Sequence, residues 1–240
     1  NLAETTFIVP SDLDEADYRL RIFTTTREML FAGHPTLGSC AAWLHCGGKP
    51  KQAGVVRQEC GVGIVEIDIS NPQMLAFTSP PTQLRRMQPQ NFEAIVEALA
   101  IPREQILYTA ELDNGPVWQV FHLDSAASVL ALDSSRVRWP TFKSIGLIGA
   151  HESSNECDYE VRMLAPSSGM SEDPITGSLN SALAHWLQAE GRLQGPLLVA
   201  QGTTINRHGR VSIRPGEQAG QVSIGGQTHI LIDGHVIIED

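Results

Sequence analysis

The sequence predicts an α+β protein made of two pseudo-repeated domains, and three observations carry that expectation. The first is an internal echo. His34-Pro-Thr-Leu-Gly38-Ser39 and Asp173-Pro-Ile-Thr-Gly177-Ser178 share the pattern x-Pro-x-x-Gly-Ser, 139 residues apart (positions 34 and 173), a separation of domain size. The second is the alanine-containing helical pattern after each copy, which includes Trp43-Leu44 in one case and Trp186-Leu187 in the other. The third is the abundance of short alternating stretches, which read as strands. Pro and Ser also favour helix starts on their own, so spacing alone leaves two unrelated helix starts open as the alternative.

Taken in order, Phe7-Ile8-Val9-Pro10 reads as a short buried strand, and Tyr18 to Phe23 alternates as a half-buried one. The stretch from Cys40 to Leu44 is helical in character and stops at Gly47-Gly48. Val62 to Ile69 is a strand with Val65, Ile67 and Ile69 on one face and Glu66 and Asp68 on the other. Asn91 to Leu99 is a short amphipathic helix, with Phe92, Ile95, Val96 and Leu99 inward and Pro102 beyond its end. Asn114-Gly115 marks a turn before a strand at Val117 to Leu123, and Tyr159 to Leu164 is another strand. From Leu179 a helix buries Leu179, Ala182, Leu183, Trp186 and Leu187, which recur at three- and four-residue steps. Strands are expected again at Leu197 to Ala200, Val211 to Ile213 and Val222 to Ile224. The end reads as a hairpin, His229 to Ile232 and His235 to Ile238 joined by Asp233-Gly234.

At 240 residues and 26.1 kDa, the chain has room for one large domain or two small ones. The Pro-rich region from Ser79-Pro80-Pro81 to Pro89 is the expected boundary. It gives a first domain over 1–85, with 229–240 a candidate return to it, and a second over 86–228. A composition of 42% hydrophobic and 18% charged residues is that of an ordinary globular protein and argues against disorder. The net charge of −10 argues against nucleic acid or an anionic membrane as partner. It does not bear on an anionic small molecule, which responds to the local site. No apolar run approaches the roughly eighteen residues of a membrane span, and no signal-peptide pattern opens the sequence. The first residue is Asn, so the start of translation is expected upstream. Cys40, Cys46, Cys60 and Cys157 have no CxxC or zinc spacing, which suits reduced thiols in a cytoplasmic protein. The histidines lack HxH and HExxH spacing, and Gly61-Val-Gly63 lacks the third glycine of a dinucleotide fingerprint, so no metal or cofactor is expected.

Function is sought in the echoed loops. The stretch from Gly169 to Ser178 carries two carboxylates, Glu172 and Asp173, and runs into a helix whose first N–H groups lack intrahelical partners. Such an end can hold an anion, and glycine lets the anion approach the backbone. Two such ends facing each other across a cleft suit a carboxylate between them. Each loop also carries a titratable group at the matching place, His34 in one and Asp173 in the other.

Three separated stretches resemble the PhzF-like phenazine-biosynthesis family: Asn1-Leu-Ala-Glu4-Thr-Thr-Phe7, Phe31-Ala-Gly-His34-Pro-Thr-Leu-Gly38, and Glu172-Asp173-Pro-Ile-Thr-Gly177-Ser178. They occur in the family's order, with weaker similarity at Asp113-Asn-Gly-Pro-Val-Trp118 and Gln201-Gly202, so the resemblance covers essentially the whole chain. It implies the diaminopimelate epimerase-like fold, two domains each with a curved, mostly antiparallel sheet wrapped round a central helix, and an active site in the cleft between them. It also implies a homodimer. Relatives usually have a strand and a helix ahead of the Asn-Leu-x-Glu motif, so the first domain is expected to be incomplete.

By the same resemblance, Glu4 stands where relatives have the acid/base that moves a proton on a small carboxylic acid. His34 and Asp173 stand at cleft positions, and Gly33, Gly177 and Ser178 where backbone and hydroxyl donors hold substrate. The family member of phenazine synthesis shifts double bonds in a dihydro-hydroxyanthranilate, with no metal or organic cofactor implied. The chemistry is coherent on its own terms, because a proton shuttle needs a group whose affinity for the proton suits the working pH, and apolar enclosure moves a carboxyl in that direction. Diaminopimelate epimerase and proline racemase use paired cysteines where His34 and Asp173 stand here, which counts against two-thiol epimerisation. Glu28 and Glu172 take no assigned role, and Gln201 to Arg210 fits the family's Gly-Arg pattern only loosely. The expected function is a cofactor-independent isomerase acting on a small carboxylate-bearing substrate. The alternatives are an amino-acid epimerase or racemase using carboxylate and imidazole, and a non-catalytic protein that binds a small ligand.

Overall fold

The computed structural model describes residues 4–138, 140–164, 172–216, 218 and 220–236. Chain contacts divide it into one unit of Asn1–Phe77 with Gly226–Asp240 and another of Thr78–Gly225.

In the first unit, strand β1 (Thr5–Val9) pairs antiparallel with β2 (Tyr18–Phe23), onto which the short β3 (Glu28–Met29) also adds. Helix α1 (Gly33–His45) then crosses over to β4 (Val55–Cys60), which lies parallel to β2. Strands β5 (Gly63–Asp68) and β6 (Leu75–Thr78) come next as antiparallel neighbours. The period-two pattern of β2 explains its orientation, since Tyr18, Leu20 and Ile22 are buried while Arg19 and Arg21 face out. Helix α1 packs through Pro35, Thr36, Leu37, Ser39 and Cys40, and Trp43 meets Tyr18 with ring centroids 5.2 Å apart. This helix begins earlier than the sequence pattern suggests, so the whole His34-Pro35-Thr36-Leu37-Gly38 stretch is helical. Pro35 is tolerated because first-turn N–H groups have no helical acceptor to lose.

The second unit runs through β7 (Gln83–Arg85), α2 (Pro89–Leu99), β8 (Ile106–Asp113), β9 (Val117–Leu123) and α3 (Ala126–Ala131). It continues with β10 (Ile145–Ala150), β11 (Tyr159–Leu164), α4 (Gly177–Ala189), β12 (Leu197–Gln201), β13 (Gly209–Pro215) and β14 (Val222–Gly226). The strand order is β14-β13-β12-β11-β10-β9-β8-β7. Two of the second unit's described pairings are parallel, β9 with β10 and β11 with β12, and α4 is the crossover in the second. The five apolar residues expected on the inner face of α4 are all buried, and each of the three leucines among them stabilises the fold by roughly 1.5–3 kcal/mol relative to exposure. Helices α2 and α3 close the core that holds Ile95, Leu99, Phe121, Leu123, Val129, Leu147 and Leu164. The fold is the expected α+β class with mostly antiparallel sheets.

The C-terminal hairpin does not form among the described residues. Residues 229–236 carry no strand, and Ile237 and Ile238 lie outside the described residues. The Asp233 carboxylate, which an Asp-Gly turn would use locally, instead meets His45 Nε2 at 3.2 Å, while Leu231, Ile232 and Val236 stay exposed. No helix of the described residues is long and apolar enough to cross a membrane.

Candidate active site

The sequence-predicted residues fall into two groups, one in each unit. In the first, Glu4 stands immediately before β1 and His34 is the second residue of α1. A hydrogen bond from Ser39 Oγ to Thr6 Oγ1, 2.9 Å, ties the helix to the strand. Strand alternation puts Glu4 on the same side as Thr6, and the clamp thereby brings Glu4 to His34. Their contact is 2.9 Å, Nε2 to Oε2, with the His34 side chain 46% exposed and the Glu4 side chain 16%. Glu4 Oε2 is buried and has no hydrogen bond among the described residues. The imidazole and the carboxylate therefore meet at contact distance without forming a hydrogen bond. Gly33, the first residue of α1, is buried, and α1 has no side-chain cap. Asn1, Leu2 and Ala3 of the same motif lie outside the described residues.

In the second unit, the loop before α4 is held from several sides. Arg162, on β11, makes paired bonds to Glu172, Nε to Oε1 at 3.0 Å and Nη2 to Oε2 at 2.8 Å. The other guanidinium nitrogen donates to the Val129 and Leu132 carbonyls at 2.9 and 2.7 Å, and Thr204 Oγ1 donates to Glu172 at 2.6 Å. The Asp173 N–H donates to the Met163 carbonyl at 3.2 Å. Thr176 occupies the cap position of α4, yet its hydroxyl does not cap; it donates to Asp173 Oδ2 at 2.7 Å. Gly177 and Ser178 open the helix, and Asn114 Nδ2 fixes the Ser178 carbonyl at 2.8 Å. Gly202 has φ +89°, and a Cβ there would come within 2.8 Å of the Pro174 carbonyl oxygen, so only glycine lets this strand end lie against the loop. Gly169, Met170 and Ser171 lie outside the described residues.

Several of these supporting residues had no sequence signal. Glu172 looked as suited to solvent as to a site, and Arg162 sits unremarked in an apolar strand. Gln201 is buried and touches four groups of the loop and helix. Asn114 could be read only as a turn residue.

Other clusters do not make a second site. His185 Nε2 lies 3.2 Å from Ser79 Oγ and 3.0 Å from the Pro80 carbonyl, which can only accept, so that nitrogen carries the proton and is no base for Ser79. Burial pushes the Cys40 thiol up to about 12 and also raises Cys60 and Cys157, which leaves these three thiols poor nucleophiles near neutrality. Among the described residues, no three His, Cys, Asp or Glu side chains converge as metal ligands would.

Comparison with known proteins identifies the fold and the family. The fold matches a PhzF-family phenazine biosynthesis protein of Bacillus anthracis with a TM-score of 0.76, at 20% identity, over 94% of this chain and 81% of that one. A hydroxyproline epimerase of Agrobacterium vitis shares the fold more distantly, with a TM-score of 0.58 at 14% identity over 93% and 71% of the two chains. Antisense-enhancing sequence 1 of Schizosaccharomyces pombe is 31% identical over 99% of this chain and 86% of its own length. A trans-2,3-dihydro-3-hydroxyanthranilate isomerase of Pseudomonas aeruginosa is 26% identical over 99% of this chain and 85% of its own. The model of the phenazine biosynthesis-like proteins, PhzC-PhzF, matches residues 1–234, and the chain belongs to that family of isomerases.

Proposed function

We propose that this protein moves a proton, and with it a double bond, on a small cyclic carboxylic acid, using acid/base side chains and no cofactor. The observation that carries the reading is the Glu4 carboxylate, enclosed and without a hydrogen bond on Oε2 among the described residues, with an imidazole 2.9 Å away. A carboxylate so placed can accept a proton from an activated carbon. The C–H electron pair then moves into the ring, the allylic double bond shifts, and the same carboxyl returns the proton to the far carbon. Nothing is oxidised or reduced. His34 supports the charge that Glu4 gains and loses. Asp173, Gly33, Gly177 and Ser178 bind the substrate in this proposal, and the cleft expected from the family resemblance belongs to it as well. The relative named trans-2,3-dihydro-3-hydroxyanthranilate isomerase makes that compound the first substrate to try.

Racemisation needs two acid/base groups on opposite faces of one carbon. Glu4 and His34 are in contact, so they cannot be that pair; the racemase reading would use His34 with Asp173 and would exchange deuterium at one carbon without moving a double bond. The test uses trans-2,3-dihydro-3-hydroxyanthranilate in deuterium oxide. The wild-type protein is expected to give isomerised product carrying deuterium, and Glu4→Gln to keep its fold and lose exchange by at least about a thousandfold, the scale of a lost general base. Full exchange by Glu4→Gln would overturn the role of Glu4. Binding without exchange by the wild-type protein would favour a ligand-binding protein.

A further inference from the structure

The turn between β8 and β9 gathers Asp113, Gly115, Trp118 and Ser178 around the side-chain amide of Asn114. Asn114 follows the last residue of β8, and its N–H closes the turn on the Pro116 carbonyl at 3.3 Å. The side chain is oriented from both ends. The Trp118 indole N–H can only donate, so the atom facing it at 3.3 Å is Oδ1. The Ser178 carbonyl can only accept, so the atom facing it at 2.8 Å is Nδ2. Gly115 is exposed and has φ +109°, with nothing within 4 Å of the place a Cβ would take. The turn therefore calls for glycine, and the Gly115 nitrogen has no side chain to shield it. The N–H of Gly115 donates to Asp113 Oδ1 at 3.3 Å, while Arg85 Nη2 holds the other oxygen of Asp113 at 3.1 Å. These are the parts of an acyl transfer. The Gly115 nitrogen stands as nucleophile, Asp113 as the base for its proton, and the Trp118 N–H as donor to the oxygen on which charge develops.

We propose that Asn114 is a site of spontaneous covalent modification, in which the Gly115 nitrogen closes on the Asn114 side chain and the carboxylate finally formed releases the start of α4. A bond forms between Gly115 N and Asn114 Cγ, giving a cyclic imide. The Cγ–Nδ2 bond breaks, and ammonia leaves with the proton that Asp113 took from Gly115 N. Water then adds to one of the two imide carbonyls and leaves aspartate or isoaspartate at position 114. Nothing is oxidised or reduced. The product opposes the contact it replaces. A carboxylate has no hydrogen to give, so the Ser178 carbonyl loses the Asn114 donor and faces another acceptor. Ser178 is the second residue of α4, so the change acts on the first turn of that helix. The isoaspartate form also adds a carbon to the backbone inside the turn. The inference does not depend on the proposed function, although it reaches a residue that the proposed function gives to the substrate.

The experiment incubates the folded protein at neutral pH and body temperature and follows position 114 by peptide mass spectrometry, which reads the conversion of amide to acid. A peptide of residues 111–118 serves as the unstructured reference. The wild-type protein is expected to convert at Asn114. Trp118→Phe keeps an aromatic ring in the core and removes the N–H, and Asp113→Asn removes the base. Each should slow conversion by at least about tenfold, a fraction of what a well-placed donor or base contributes, with circular dichroism confirming each fold. If the contacts only pin the amide away from attack, both variants will convert faster than wild type, and that outcome overturns the proposal. A wild-type protein that stays unconverted while the peptide converts overturns it as well. Asn114→Asp, the mimic of one product, should speed amide hydrogen exchange at Asn180, whose N–H bonds the Thr176 carbonyl in the first turn of α4, by about tenfold. Unchanged exchange there overturns the release of the helix start.

Discussion

Helices α1 and α4 are each thirteen residues long, begin with glycine and bridge two parallel strands, yet their first turns are held in different ways. In both units, a fully buried glutamine on the strand after the helix reaches the fourth helical residue. Gln58 Nε2 donates to Thr36 Oγ1 at 3.1 Å, and Gln201 Oε1 accepts from Asn180 Nδ2 at 2.8 Å. The other end of each glutamine differs. Gln58 accepts from the Tyr18 hydroxyl at 3.0 Å, inside the core, whereas Gln201 extends to Thr176 and the carbonyl of Asp173. The first unit thus uses its glutamine to anchor the helix and leaves Glu4 and His34 on a single contact without a hydrogen bond. The second uses its glutamine to anchor the loop. A group that must gain and lose a proton needs bonds that can rearrange, while a group that orients substrate works best when it cannot move. The two units differ in the way that the roles proposed for Glu4 and Asp173 would require.

Breaking the second loop should give the largest effect. Arg162→Met would leave Glu172 charged and unpaired in the interior, and such a loss costs about 3–5 kcal/mol. Urea unfolding should show a far lower midpoint, and the double variant with Glu172→Leu should recover part of it. In the first unit, Arg21→Met removes an exposed pair with Glu28 and should leave the midpoint where it is. Equal shifts in the two variants would mean that the second loop is not held more firmly than the first unit's surface.

A second difference is readable by pH. His122 is buried beside Arg192, with Tyr108, Tyr159 and Trp186 around it. Burial, and then the neighbouring guanidinium, pull it from 6.5 down to about 4. Above pH 6.5 neither the folded nor the unfolded state holds this proton, and its contribution is nil. Between 6.5 and 4 the unfolded chain takes up the proton first, so stability falls as pH falls, by about 1.4 kcal/mol per unit and about 3 kcal/mol in all. Below pH 4 the contribution is flat. Urea unfolding at pH 7 and pH 4.5 should show this slope in the wild-type protein and lose it in His122→Phe.

How much of this was legible in the sequence depends on the range of the interaction. The strands at Val117–Leu123 and Tyr159–Leu164 and the inner face of α4 come from local periodicity. The echo located both helix starts, but in a register the structure does not use. His34 and Asp173 are 139 positions apart in sequence, whereas the first residues of α1 and α4, Gly33 and Gly177, are 144 apart. The difference arises because Asp173 to Thr176 stays outside α4, while His34 to Leu37 is already inside α1. Gln201, Arg162 and Asn114 act on residues 28, 10 and 64 positions away. Nothing in their neighbourhoods marks a buried amide or guanidinium as a loop anchor. The hairpin expected at the C-terminal end is likewise absent among the described residues, where Asp233 meets His45, 188 positions away. Glu4 was found by resemblance alone, because a glutamate next to a strand carries no signal of its own.

Gln58→Leu should be milder than the loop break. It removes the bonds that the Tyr18 and Thr36 hydroxyls make to Gln58 in the core, at about 2 kcal/mol. Because Gln58 touches neither Glu4 nor His34, turnover of the folded protein should stay near normal. A loss of turnover as large as that of Glu4→Gln would mean that the first unit's glutamine also works on the site.

The smallest change in stability should come with a visible change in rate. Ser39→Ala removes one hydrogen bond, to Thr6, and costs about 1 kcal/mol. Its counterpart for comparison is Ser181→Ala in α4, which removes a buried contact to Ser79 of similar worth. Unfolding experiments should not distinguish the two variants. Turnover should, because Thr6 lies two residues from Glu4 on the same side of β1, and the clamp to α1 sets how closely the carboxylate meets His34. Misplacing a catalytic group by a fraction of an ångström lowers the rate by about tenfold or more without changing substrate affinity. Ser39→Ala is therefore expected to lower kcat about tenfold at constant KM, and Ser181→Ala to leave both alone. The reverse pattern would show that the firmly held second unit, and not the loosely held Glu4–His34 pair, limits the rate.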